Sequence, residues 1–178
     1  TLRGKIYPCL SSRSQRAQVS DALAAAAVVF SVSADMADLA VDLGAPADRV
    51  RVLHNGVDLE RFRPRDRSAA RRELGLPDDG RLVVQVAHLG QRKGSREAVR
   101  ALAELGDDVR LVLVGGDPAG RRNVRALRAL AASLGLSERV ILPGPQPYDR
   151  VPLYFNAADV SVLASYREGC PNAVLESI

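Results

Sequence analysis

RLVVQVAHLGQRKGSREAVRALAELGDDVRLVLVGG, residues 81–116, holds the pattern that decides the fold. Its two ends, 81–89 and 109–116, are almost unbroken runs of Val and Leu. Such runs lack the polar alternation of a half-exposed strand and read as strands covered on both faces. Between them, REAVRALAELG (96–106) spaces its apolar residues at helical intervals and stops at Gly106. A strand, a helix and a second strand of this length form a right-handed crossover in a parallel sheet.

The same alternation continues outward. Downstream, 124–136 reads as helix, 139–144 as strand, 151–158 as helix and 159–165 as strand. Upstream, 14–27 is helical and VVFSV (28–32) is a short buried strand. Ser33 can cap a helix over ADMADLAVDLG, which Gly44 closes. VRVLH (50–54) is the next strand, and HNGVD (54–58) a turn, since Asn-Gly readily takes positive φ. Pro64 keeps 59–67 extended. The expected fold is therefore α/β, a Rossmann-like doubly wound parallel sheet. Ligands on such sheets lie at the carboxyl ends of the strands. Here those ends are AHLGQRKG, VGGDPAG, LPGPQP and ASYREGCPN.

Composition narrows the function classes. The chain has 178 residues, 47% hydrophobic and 26% charged, enough to bury a core. No apolar run approaches the roughly 18 residues of a membrane span. The stretch TLRGKIYPCLSSRSQR lacks the apolar segment of a secretory signal. Cys9 and Cys170 stand far apart, in no metal or redox spacing, which fits a reducing cytoplasm. Of the 25 cations only Lys5 and Lys93 are lysines, and aromatics make up just 4%. Scattered arginines without a stacking platform argue against nucleic acid as a partner, and an Arg- and Ala-rich chain suggests a bacterial source. The net charge of +4 suits a small anionic ligand.

Each strand end has a functional and an ordinary reading. His88, Arg92 and Lys93, framed by Gly90 and Gly94, could meet a phosphate or form a solvated basic turn. Lys93 stands out because arginine is otherwise used almost everywhere, and a compact ammonium suits a point contact to a diphosphate. VGGDPAG lacks a full GxGxxG, so a tight strand-to-helix turn is its simpler meaning, with Asp117 able to cap the next helix. In LPGPQP, Gln146 could offer its amide to a base edge, or the prolines could merely shape a loop. The last stretch, REGCPNAVLESI (167–178), carries Glu168 and Glu176 around a Gly-Cys-Pro-Asn turn that enters a helix near Pro171. First-turn amides attract a diphosphate, and a carboxylate accepts two sugar hydroxyls. Two acids so spaced can hold both ends of a sugar nucleotide.

Taken together, LHNGVDLERFRP, VAHLGQRKG, VLVGGDPAG, ILPGPQP and EGCPNAVLE resemble the retaining glycosyltransferases of family four, with the GT-B fold. The likeness runs from about Ala25 to Ile178 and includes the family's E-x7-E spacing. It implies that Lys93 and a nearby cation bind the donor diphosphate, that Glu168 meets the donor sugar as the catalytic-centre acid, and that Glu176 takes the ribose. The amides of Gly169, Cys170, Pro171, Asn172 and Ala173 would line diphosphate and sugar, with Gly116 and Val174 also at the donor site and Gln146 near the base. The family usually has Gly-Arg where this chain has Ala87-His88, leaving Arg92 or His88 to take that phosphate contact. Cys170 replaces an aromatic or small residue, and its thiol would border the sugar pocket.

The resemblance implies a division at 54/55. Residues 1–54 would be the last elements of an acceptor domain, and 55–178 the donor domain, cut within the E-x7-E helix. Such a fragment alone would be inactive. The implied reaction transfers a hexose from a UDP- or GDP-sugar to a glycan or lipid-linked acceptor, in polysaccharide biosynthesis. It needs no cofactor and, with no Asp-x-Asp in the chain, no metal. The implied place is the cytoplasm, with peripheral contact at the inner membrane face through the acceptor domain. A nucleotide-sugar epimerase of the same architecture and a non-catalytic nucleotide-binding module are the alternatives.

Overall fold

A computed structural model describes residues 4–178 and divides the chain into two compact units. Of the described residues, the first comprises those up to 56 with 167–172, the second residues 57–166 with 173–178. The sequence-based division at 54/55 thus falls two residues before the one observed. Residues 167–172, which the resemblance counts with the donor domain, group with the first unit. There the Arg167 guanidinium lies 4.5 Å over the Tyr7 ring, and Asn55 donates to the Cys170 carbonyl at 3.2 Å.

The first unit opens with a 3₁₀ segment, Gly4–Ser11, followed by α1 (Arg13–Ala25). Next come β1 (Val29–Ser31), α2 (Ala34–Asp42) and β2 (Val50–Val52), the two strands pairing in parallel. Ser33 caps α2 as expected, its hydroxyl accepting from the Met36 amide, and Gly44 leaves the helix at φ +102. Met36, Ala40, Val29, Val32 and Leu43 form the core, and Cys170 packs against it.

In the second unit α3 (Arg67–Leu74) precedes β3 (Arg81–Val86), α4 (Ser95–Leu102) and β4 (Val109–Val114). Then follow α5 (Arg122–Ser133), β5 (Val140–Gly144), α6 (Val151–Ala157), β6 (Val160–Ser161) and α7 (Asn172–Ser177), whose first residue groups with the first unit. The sheet is all parallel, in the order β5-β4-β3-β6. Chain order reverses between β3 and β6, so that is the switch point where such sheets bind ligands. The sandwiched runs behave as read: Leu82, Val84, Leu111, Leu113 and Val114 are buried from both faces. β6 departs from the expectation. It pairs over two residues only and is exposed, Val160 at 56%, because it is the edge strand with β3 on one side alone.

A buried arginine fixes the amino ends of the central strands. Arg71 of α3 is 4% exposed; it donates to the carbonyls of Ala157, Asp78 and Gly80 and to Asp159 at 2.7 Å. Asp159 also accepts from the Leu82 amide at 2.7 Å, and the Asp159 amide donates to the Leu82 carbonyl at 2.8 Å. The start of β6 is thereby set against the start of β3, which aligns their carboxyl ends.

Candidate functional site

The carboxyl end of β3 runs into a loop held from three directions. Gln85, 1% exposed in the middle of β3, donates its side-chain amide to the Lys93 carbonyl at 2.7 Å and to the Ser95 hydroxyl at 3.3 Å. The Tyr166 amide, just past β6, donates to the Arg92 carbonyl at 3.0 Å. Gly94 ends the 3₁₀ turn Gln91–Lys93 at φ +67, and a Cβ there would lie 1.9 Å from the Ala164 carbonyl oxygen. Only glycine lets the two loops of the switch point come so close. Lys93 is half-buried on this braced backbone, whereas Arg92 and His88 are exposed.

The His88 ring folds back onto its own loop. Its Nδ1 accepts from the Gly90 amide at 3.1 Å. A ring nitrogen that accepts carries no proton, so with this contact a ring hydrogen sits on Nε2. His88, Gln91, Arg92, Arg122 and Asn123 line a cleft of about 330 Å³ beside this loop.

At the end of β4, Gly115 takes φ +153 with its missing Cβ directed at the Ala87 carbonyl. Gly116 accepts from the Leu89 amide at 2.8 Å, tying this turn to the previous one. Asp117 caps α5 from outside the helix, accepting from the Val124 amide at 3.0 Å, the Ala119 amide at 2.9 Å and the Asn123 side chain at 2.8 Å. Desolvation works to raise its carboxyl, and these three donors outweigh it, leaving the pKa below the ordinary value. In the loop after β5, Gln146 donates its side-chain amide to the Pro143 carbonyl at 3.1 Å.

The acidic stretch is divided between the units. Glu168, Gly169, Cys170, Pro171 and Asn172 belong to the first, in which Asn55 donates to the Asn172 side chain at 2.7 Å. Ala173, Val174 and Glu176 belong to the second, with His88, Arg92, Lys93, Gly116 and Gln146. Glu176 lies in the last turn of α7 and accepts from the Tyr148 hydroxyl at 2.8 Å. Sequence reading passed over Gln85, Tyr148 and Asn55. A polar residue inside RLVVQVAHL and a tyrosine in an aromatic-poor chain were the available signals.

Known proteins resemble both parts of the chain. The family model described as "Glycosyl transferases group 1" matches residues 66–178, and "Glycosyltransferase Family 4" matches residues 4–61. D-inositol 3-phosphate glycosyltransferase 1 of Catenulispora acidiphila is 42% identical over 81 residues, 45% of this chain and 19% of that protein. The crystal structure of Anabaena HepE in complex with UDP and glucose superposes with a TM-score of 0.85 at 25% identity. That match covers 96% of this chain and 47% of the other. Sucrose-phosphate synthase from Thermosynechococcus elongatus gives a TM-score of 0.84 at 27% identity, over 93% of this chain and 42% of the other. The chain thus spans less than half the length of these relatives.

Proposed function

The chain belongs to the family of glycosyl transferases group 1, and from that premise we propose that the whole protein is a retaining glycosyltransferase. It moves a hexose from a UDP- or GDP-sugar to a glycan or lipid-linked acceptor, and the second unit carries most of the donor site. The observation that supports this best lies at the switch point. There the Lys93 loop is braced by Gln85 from β3 and by the backbone that follows β6. Such bracing holds a cation ready for a diphosphate, and preorganised charge is what stabilises a departing oxyanion.

In this reading Lys93, with Arg92 or the Nε2–H of His88, faces the diphosphate. Glu176 takes the ribose hydroxyls, Gln146 the base, and Glu168 the donor sugar. The acceptor hydroxyl attacks the anomeric carbon on the face from which the diphosphate leaves. The carbon–oxygen bond to the diphosphate breaks as the new one forms, and the proton of the acceptor leaves with the diphosphate. Protein cations, rather than a metal, take up the charge on the leaving group. A lipid-linked acceptor would place the reaction at the inner membrane face; among the described residues no helix is long and apolar enough to cross a membrane.

Calorimetry of the intact protein with UDP, GDP and their hexose conjugates tests the reading. Saturable binding of one nucleoside diphosphate and its sugar conjugate is expected. Absence of heat with all of them overturns it. Incubation with UDP-GlcNAc and no acceptor separates transferase from epimerase, since an epimer in the product would favour the latter.

A further inference from the structure

We infer that Tyr148 is a positioning residue for Glu176, fixing the carboxylate that receives the donor ribose and so setting the preference for ribose over deoxyribose. The inference rests on the ribose role proposed above for Glu176. Tyr148 opens the 3₁₀ turn Tyr148–Arg150, directly after the LPGPQP loop. Its hydroxyl donates to Glu176 Oε1 at 2.8 Å, joining the end of β5 to α7.

The ring is held although it is not in the core. It is 52% exposed, yet the Arg61 guanidinium sits 4.9 Å over its centroid and Phe62 meets it edge-on at 5.5 Å. Phe62 in turn leans on Phe155 of α6 at 6.2 Å. A half-exposed ring adds little core packing, so what these contacts fix is the direction of the hydroxyl. The bond to Glu176, followed by desolvation, holds the phenol above its ordinary pKa, so it stays a donor across the physiological range.

A carboxylate offers about four lone-pair sites on two oxygens. With one of those on Oε1 taken by Tyr148, Oε2 and the remaining lone pair of Oε1 face a vicinal diol in a set orientation. Without the tether, the glutamate end samples several rotamers, and ordering it falls on the ligand. A nucleotide lacking one ribose hydroxyl gains less from the tether than one with both.

The test is Tyr148→Phe in the intact protein, titrated with UDP and 2′-deoxy-UDP, or with GDP and 2′-deoxy-GDP if guanine is the base bound. The ribonucleotide should weaken about 2- to 10-fold and the deoxynucleotide much less, so that their affinity ratio shrinks. A purely structural tyrosine would weaken both alike, and an unchanged ratio overturns the inference. Arg61→Ala, which keeps the hydroxyl but frees the ring, should shrink the ratio to a smaller extent. A wild-type protein that binds neither nucleotide overturns the donor reading instead, and one that binds both sugars equally overturns the ribose role of Glu176.

Discussion

Lys93 owes its position to neighbours that carry no charge. Its carbonyl is held by Gln85 and its amide donates to the Gly90 carbonyl at 3.0 Å, so the ammonium projects from a fixed base. Lys93→Ala should weaken UDP binding by about 10- to 150-fold, the worth of a charge-assisted contact of ~1.5–3 kcal/mol. Unchanged affinity in a folded variant would remove Lys93 from the site. Lys93 was legible because lysine is so rare here, and Gly94 because a loop with two glycines invites close approach. Gln85 was not, since its role depends on where β3 points its side chain. Asp117 was read as a cap and is one. Because its folded pKa is depressed, its contribution is fully present above about pH 4 and lost as pH falls through the folded value. The melting temperatures of the wild type and Asp117→Ala should therefore differ at neutral pH and converge in acid. A gap independent of pH would mean that the carboxylate charge plays no part.

Among the elements, strands and helices of the 81–116 type were legible to within a few residues because periodicity reports burial directly. β6 was overcalled as 159–165, since an apolar run says nothing about how many neighbours a strand has. The clip between α3 and the two strands was hidden for another reason. With arginine so common in the chain, nothing in the sequence distinguishes Arg71, which is buried, from Arg72 beside it, which is exposed. Arg71→Ala removes the donor to three carbonyls and one of the two arginines on Asp159, which keeps Arg67 and the Leu82 amide. It should destabilise the second unit by about 1–3 kcal/mol, the cost of leaving buried acceptors without their donor. Urea denaturation measures this; a change below ~0.5 kcal/mol would show that the three carbonyls are satisfied without Arg71.

At the scale of the molecule, family membership was legible from spaced motifs, above all the two glutamates eight residues apart. The division of that motif between two units was not, because Asn55 and Tyr7, which hold 167–172 to the first unit, lie more than a hundred residues away in sequence. The account's central claim is that these two acids serve opposite ends of one sugar nucleotide. Calorimetry of the intact protein, with UDP and its sugar conjugate on Glu168→Gln and Glu176→Gln, tests it most directly. Glu176→Gln should weaken both ligands alike, because both carry the ribose. Glu168→Gln should leave UDP nearly unaffected and remove the sugar-dependent part of binding, each loss being on the order of 1–3 kcal/mol. If Glu168→Gln weakens plain UDP as much as the sugar nucleotide, the two-ended clamp is wrong.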